Sequence, residues 1–428
     1  MADVIDASDR ATFAAVEDLP VLKVADLDAD PHGMFRRYRG AYPVVGHERG
    51  GYLVLRHADV ERLGNDPRTA ATETMHPEMY GVTEGALFDL FEQGMLTANG
   101  AVHRRRRSPF SRSFAVRTMA DLRPQIRRSS EELIESWYAD GQVEFVGQFA
   151  AQLPARVIGD LLGLPRADIP SFTKLVYLVT RFISASILPD EIPESEAACQ
   201  QLRDYVEKTL EDRRRAPRDD FLSDFLGKAD AAGELSPLEI IFQIVQLIVG
   251  GTDTTRVAMV VQLALLLQHR EQWDAVCRDP SLIPGAVAEA MRFEPSVASF
   301  VRVTTEDIEV GGAVLPARQF IILSTMSGAR DEEAYERPDV FDIRRTDQPR
   351  LLPAFGAGAH RCIGEALARV ELEESLAALA ARIPQVQLDE APAIKGHSGI
   401  RRVDTMRLSW QPRASNEAPV GTTSTASS

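Results

Sequence analysis

The sequence has 428 residues, with a hydrophobic share of 44% and a charged share of 26%, the proportions of an ordinary soluble globular protein with ample chain for a buried core. Its formal net charge of −15 disfavours nucleic acid as a partner. Three cysteines, an odd and sparse count, argue against a disulfide framework and for a reducing compartment.

Met1–Pro20 is acidic and has neither a basic start nor an apolar stretch, so no signal peptide or membrane anchor is expected and the cytoplasm is the expected location. Pro31–Arg39 reads as a short helix. Val44–His47 and Tyr52–Arg56 alternate around Arg49-Gly50-Gly51 as a hairpin, and His57–Leu63 resumes helical spacing. Ala71–Gly100 shows no sustained period and carries Met75, Met79, Tyr80, Phe91 and Met95. Such adaptable apolar side chains suit a wall over a hydrophobic ligand, and equally a loop packed on the core.

His103-Arg104-Arg105-Arg106-Arg107 then stands at a predicted helix start, where the helix dipole disfavours basic residues. Anionic ligands would account for this. His103 and Arg107, at i and i+4, share a face, and the remaining arginines are expected to face outward. Leu122–Tyr138, Ala151–Leu162, Ile169–Ser186 and Glu194–Arg214 are helical patterns punctuated by Gly163, Pro165, Pro170, Pro189 and Pro193.

Pro237–His269 is the longest helical pattern, and at about 1.5 Å per residue it would cross the whole molecule. Its middle holds Gly250, Gly251, Thr252, Asp253, Thr254 and Thr255, poor choices for a buried helix interior and unwelcome in a bilayer span. Gly250 and Thr254 share a face, so a flat group could approach Gly250 with the Thr254 hydroxyl above it. Gln246, one turn earlier with Val249 beside it, suggests a polar group on a ligand otherwise met by Ile, Val and Leu.

Glu289 and Arg292 lie at i, i+3 on a helix, by themselves an ordinary pair. Val297–Thr304 and Ile308–Val314 read as strands, Val403–Trp410 as a terminal strand whose preceding turn, Arg401 to Asp404, reaches a pocket floor. No internal repeat is visible, and 414–428 reads as a disordered tail.

The decisive stretch is Phe355-Gly-Ala-Gly-Ala-His-Arg-Cys-Ile-Gly364. Gly356, Gly358 and Gly364 permit a tight turn and leave room for a flat group against backbone. Glu365–Arg382 follows as a helix, which places Cys362 at a helix N-terminus and favours its thiolate. A structural zinc would want further Cys or His nearby, and Cys199 and Cys277 are distant and read as passive. A nucleophile would want a base and an oxyanion hole, which His360, two residues away in a loop, does not supply. An axial haem ligand remains.

Phe355-x-x-Gly358-x-His360-x-Cys362-x-Gly364, followed by Ala366-Leu-Ala-Arg-x-Glu371, resembles the haem-thiolate loop of the cytochrome P-450 family. The resemblance covers roughly residues 19–413. It implies a single large domain of the cytochrome P-450 fold, mainly α with small β-sheets, between an N-terminal arm (1–18) and the tail.

It further implies haem b with Cys362 as the iron ligand, and contacts from His103, Arg107, Gly250, Arg302, Phe355, Gly358, His360 and Gly364. Asp253 and Thr254 match the family's acid–alcohol pair for proton delivery to dioxygen. Glu289, Arg292 and Arg345 match its buried cluster supporting the haem loop, and Ala329-Arg330-Asp331 its Asn-Arg-Asp element with Ala in place of Asn. Val297, Ala298 and Phe300 would line the pocket with Gln246 and Val249.

The activity so implied is monooxygenation of a small apolar substrate, of terpenoid, aromatic or steroid kind, by a monomer. An acidic iron–sulfur ferredoxin with an NAD(P)H-dependent reductase would supply electrons, docking on Arg104, Arg112 and Arg361. A peroxide-driven enzyme and a non-enzymatic haem-thiolate gas-binding protein are the alternatives, and the Asp253-Thr254 pair argues against both.

Overall fold

The structure, a computed structural model, describes residues 16–111, 114, 119–184, 187–349 and 352–412. Most of the expected arm, the expected tail and Arg112 lie outside the described residues.

The helix Pro237–Gln268 runs for 32 residues as the sequence period demands. Its start is fixed by Pro237 in the first turn and by a reciprocal pair: the Glu239 N–H donates to Ser236 Oγ at 3.1 Å, and the Ser236 N–H to the Glu239 carboxylate at 2.8 Å. The polar centre is helical throughout, and its threonine hydroxyls bond back into the helix. Thr252 donates to the Ile248 carbonyl at 2.6 Å and Thr254 to the Gly250 carbonyl at 2.8 Å. A window of this helix, at mean hydropathy 1.3, is long and apolar enough to cross a membrane, but 72% of it is buried inside the protein. Its apolar wrap comes from the helices Gln152–Leu161, Ile169–Ile183, Ile192–Arg215, Ile283–Phe293 and Glu365–Arg382, which pack around it.

A six-stranded sheet flanks this body in the spatial order Val21–Leu22, Val44–His47, Tyr52–Val54, Phe320–Ser324, Ser299–Thr304, Thr69–Ala70. Alternation along each strand divides its side chains between two cores. Val44, Val54, Ile321 and Leu323 meet Leu63 on one face, and Val45, Leu53, Leu55 and Ile322 meet Phe35 on the other. At roughly 1.5–3 kcal/mol for each fully buried aliphatic side chain, both faces contribute to holding the sheet against the helices.

Three expectations change. Ile308–Val314 is a hairpin of Ile308–Val310 and Ala313–Leu315, turned by Gly311 and Gly312 at φ 57° and 90°. Val403–Trp410 is two strands, Arg402–Val403 paired with Ile394–Lys395, and Arg407–Ser409 set between Gln387–Glu390 and Gln142–Glu144. Ala71–Gly100 contains the short helices Met75–Met79 and Ala86–Glu92. A helix not foreseen, Phe221–Ala232, is capped by Asp220, which accepts from the Ser223 N–H at 2.9 Å, and by left-handed Gly233, while Phe225 stacks on Phe110 at 4.5 Å.

Candidate active site

The cysteine loop is a short 3-10 turn, Gly358–His360, that passes through Cys362 to the helix Glu365–Arg382. The Cys362 N–H closes the loop on the Phe355 carbonyl at 2.8 Å. Gly358 is required twice over: its φ is +65°, and a Cβ there would stand 2.7 Å from the Gly64 carbonyl. The loop therefore rests on the helix His57–Asn65.

The Cys362 side chain is accessible although protein surrounds it widely enough to desolvate it. Those two facts describe a sulfur facing an interior chamber. Burial pushes its thiol up, opposed by the Gly364 N–H and by Arg107 and Arg361. The Gly364 N–H at the helix terminus favours the thiolate in the expected direction, but burial outweighs it; a bound cation would tip the balance. Cys199 is inert by contrast, fully buried with its S–H on the Ala86 carbonyl at 3.3 Å.

Beside the loop, three distant segments bring His103, Arg107, Arg302 and His360 together. The His103 and His360 rings lie 4.1 Å apart, and Arg107 donates to the Arg361 carbonyl at 2.6 Å. His360 is pushed down to about 3 by burial and then by Arg302, His103 and Arg107. Burial and the same neighbouring guanidiniums lower His103, and burial lowers Arg302 to about 10. Among the described residues no carboxylate pairs with Arg302, whose guanidinium meets the Val301 carbonyl at 2.9 Å and the Phe300 face at 5.0 Å. His103 Nε2 is buried without a partner. Two guanidiniums beside two imidazoles that burial and those guanidiniums keep uncharged, one with an orphaned nitrogen, form a receptor for anionic oxygen.

On the long helix, Gly250 is exposed beside buried Val249, and a Cβ added to it would meet nothing within 4 Å. Thr254, one turn on, is half-buried, and Asp253 is buried at 5% exposure. Burial raises Asp253 and Arg256 opposes it through a 2.7 Å ion pair.

Other expected residues are placed differently. The Gln246 amide is engaged by the main chain: it donates to the Leu90 carbonyl at 2.9 Å and accepts from the Leu96 N–H at 3.0 Å. Ala298 is wholly buried in the core beside Phe35 and Met326, and Val249 is 3% exposed. Phe300 packs toward Gly64 and Ala357 at the cysteine loop, and half-buried Val297 accepts from Thr325 through its carbonyl at 2.6 Å. Arg401 turns away from any pocket floor to pair with Glu294 and the Gly396 carbonyl. Arg361 is bound to Glu365 at 2.7 Å and to the Gly356 carbonyl at 2.9 Å, which leaves exposed Arg104 as the open charge of the expected docking patch among the described residues.

Arg105 and Arg106 do not face outward. Both pair with Glu239, at 2.6 and 2.9 Å, and buried Arg106 also donates to the Glu92 and Gly94 carbonyls at 2.7 and 2.9 Å. The capping sequence Ser236-x-x-Glu239 was the available signal of an acid there. Also unforeseen is Glu294, which gathers His32, Arg330 and Arg401. Glu289, Arg292 and Arg345 do assemble: Arg292 grips the carboxylate with two 2.8 Å bonds, and Arg345 approaches to 3.2 Å. Ala329 offers its carbonyl to Arg292 at 2.8 Å, while Arg330 and Asp331 bond Phe293 and His57, so that element keeps its backbone and charged contacts without the Asn side chain.

Comparison with known proteins decides the family. The profile described as cytochrome P-450 matches residues 170–279 and 281–382. A plant-inducible cytochrome P-450 of Rhizobium radiobacter is 43% identical over 392 residues, covering 91% of this chain and 93% of that protein. The chain belongs to the cytochrome P-450 family. Luteothin monooxygenase of Streptomyces thioluteus is 31% identical, covering 83% of this chain and 87% of that one. The crystal structure of CalO2 superposes with a TM-score of 0.84 at 30% identity, covering 91% of this chain and 98% of the other. The protein is accordingly a cytochrome P-450 monooxygenase, an oxidoreductase that incorporates oxygen from O2, and the family implies haem iron.

The residues present fit haem. Two carboxylates match the receptor at His103, Arg107, Arg302 and His360. Gly250 leaves space for a flat ring, and Cys362 offers a sulfur to the chamber.

Proposed function

We propose that this cytochrome P-450 inserts one oxygen atom into an unactivated C–H bond of a small apolar molecule of terpenoid, aromatic or steroid-like kind. It works as a cytoplasmic monomer with haem b, taking electrons from an acidic iron–sulfur ferredoxin and its NAD(P)H-dependent reductase. Relatives are named for luteothin, mycinamicin IV and steroid C26 chemistry, and the steroid name supports the steroid-like class. The observation that carries the reading is the basic cluster, with His103 Nε2 buried and unbonded, beside the accessible Cys362 sulfur.

Haem, when bound, supplies oxygen binding and O–O cleavage. The chain supplies the rest. Cys362 holds the iron, with its sulfur steadied by the Gly364 N–H. His103, Arg107, Arg302 and His360 hold the carboxylates. Thr254 has committed its own hydrogen to the Gly250 carbonyl, so its oxygen accepts a hydrogen bond from water in the chamber. Buried Asp253, one residue before it, passes protons inward to that water from a dry site.

Optical titration of the ferric protein with terpenes, aromatic acids, steroids and fatty acids tests this. A shift of the main haem band to the high-spin position with one of the first three classes is expected. No shift with any of them discards the substrate class, and a protein that takes up no haem discards the role of Cys362.

A further inference from the structure

We infer that Arg256 is a positioning residue that ties the Asp253 carboxylate to the helix Ile169–Ile183, so that where this helix sits governs how tightly that carboxylate is held. The inference rests on the proton-carrying role given to Asp253 above.

Arg256 touches three separate elements. Its Nη2 and Nε lie 2.7 and 2.8 Å from one and the same oxygen, Asp253 Oδ1. Its guanidinium lies 4.5 Å from the ring of Tyr177, in the middle of Ile169–Ile183. Its Nη1 reaches toward the carbonyl of Val403, on the strand Arg402–Val403, at 3.5 Å. Both members of the ion pair are nearly buried, at 11% and 8% side-chain exposure, so the pair is little screened.

Closing two nitrogens on one oxygen fixes Oδ1 and leaves Oδ2 as the oxygen that can take up and release a proton. Tyr177 explains why the fork stays there. Its hydroxyl is buried with no partner, a cost with no polar return. What the side chain contributes at that point is the face of its ring, which attracts a desolvated guanidinium.

The charged and titratable groups facing Asp253 are Arg256 from its own helix and Tyr177 from the helix above. Burial and Arg256 act on Asp253 in opposite directions. If Ile169–Ile183 moves outward, the ring withdraws and water reaches the guanidinium. Its pull on Oδ1 then weakens while the protein around Asp253 still buries the carboxyl, and Asp253 takes a proton from bulk water through a new bond at Oδ2. When the helix returns, the restored pull favours release of that proton into the chamber. Proton loading is thereby linked to the position of a helix that does not itself carry the acid.

The test is a pH titration of the Asp253 carboxyl stretch by infrared difference against Asp253→Asn, in haem-free and haem-loaded protein. Arg256→Gln should raise the midpoint by about one unit or more. Tyr177→Leu should raise it by less, and Tyr177→Phe, which keeps the ring face, should leave it in place. In the double variant Tyr177→Leu with Arg256→Gln, the midpoint should go no higher than with Arg256→Gln alone. The acid limb of the turnover profile should follow the same order.

Additive shifts, or a Tyr177→Leu midpoint equal to that of the parent, would overturn the link. So would a Tyr177→Phe shift as large as that of Tyr177→Leu. Should Tyr177→Leu fail to fold, Tyr177→Met removes the ring at similar bulk. A protein that binds no haem defeats the proposed function, while the infrared titration of the haem-free chain still decides this inference.

Discussion

Two clusters of buried and half-buried basic side chains lie in this molecule, and they are built on opposite electrostatic plans. Around Glu289 the charges close on themselves: Arg292 and Arg345 share its carboxylate, and Gln348 adds a bond at 2.8 Å. Around Arg302 they do not close, and His103, Arg107, Arg302 and His360 raise one another's cost of being charged. Elsewhere buried arginines have acids, as Arg106 has Glu239 and Arg330 has Glu294. The first plan is what structural support requires, and the second is what a site for an anion requires. A cluster complete without its ligand holds the fold, and a cluster left incomplete reports the ligand.

The sharpest way to break the contrast is to remove an acid from the closed cluster. Glu289→Ala leaves Arg292, with a wholly buried side chain, without an acid, while Arg345 keeps only Asp347. We expect a loss of about 3–5 kcal/mol in urea unfolding, with or without haem. A loss below about 1 kcal/mol would show that the network is not held by its charges.

Glu294 gives a pH-resolved version. His32, Arg401 and Arg330 outweigh burial, the largest single influence, and hold its carboxyl down at about 2. The ordinary glutamate value is about 4.3, so the unfolded chain binds the proton first as pH falls. The stabilisation is fully present above that value and is lost as pH falls toward 2, by about 3 kcal/mol. Glu294→Gln should start lower and lack that slope. The parallel measurement on both proteins checks it.

Acting on the open cluster should give the other sign. Arg302→Leu removes a buried cation that has no carboxylate partner among the described residues, so the haem-free protein should keep its stability or gain about 1 kcal/mol. Haem should leave the variant faster. If the haem-free variant were instead destabilised as much as Glu289→Ala, Arg302 would belong to the structural plan and the comparison would fail.

The sequence made one half of each cluster legible. Glu289 and Arg292 are one helical turn apart, and His103 and Arg107 share a face, because local spacing maps directly onto local geometry. The long helix was readable for the same reason, being a sustained period over 32 residues. Partners drawn from far along the chain were not. Arg106 finds Glu239 across 133 positions, and nothing in a row of arginines says which of them turns inward. Gln246 reads as a ligand contact because it is polar in an apolar wall, yet its partners in the fold are the main-chain groups of Leu90 and Leu96, which carry no side-chain signature. Gly358 was singled out correctly as a fixed glycine, but the carbonyl of Gly64 that demands it appears only in three dimensions. The hairpin at Gly311-Gly312 was missed despite a legible signal, two glycines between β-branched runs.

The smallest effect sharpens the comparison at the surface. Arg104 and Arg361 were expected to act together in docking a ferredoxin, but the structure divides them between the two plans. Arg361 is closed, its charge answered by Glu365 and its Nη1 by the Gly356 and Leu352 carbonyls. Arg104 is exposed and close enough to bear on His103. Arg104→Glu should therefore raise the KM for ferredoxin about two- to threefold at low ionic strength, with substrate binding unchanged, and the difference should shrink as salt rises. Arg361→Glu places a carboxylate against Glu365 within the cysteine loop, so its main effect should be faster haem loss that salt does not relieve. Equal, salt-sensitive effects of both variants on KM would mean that the Arg361–Glu365 pair opens when the partner docks, and would put Arg361 back on the docking surface.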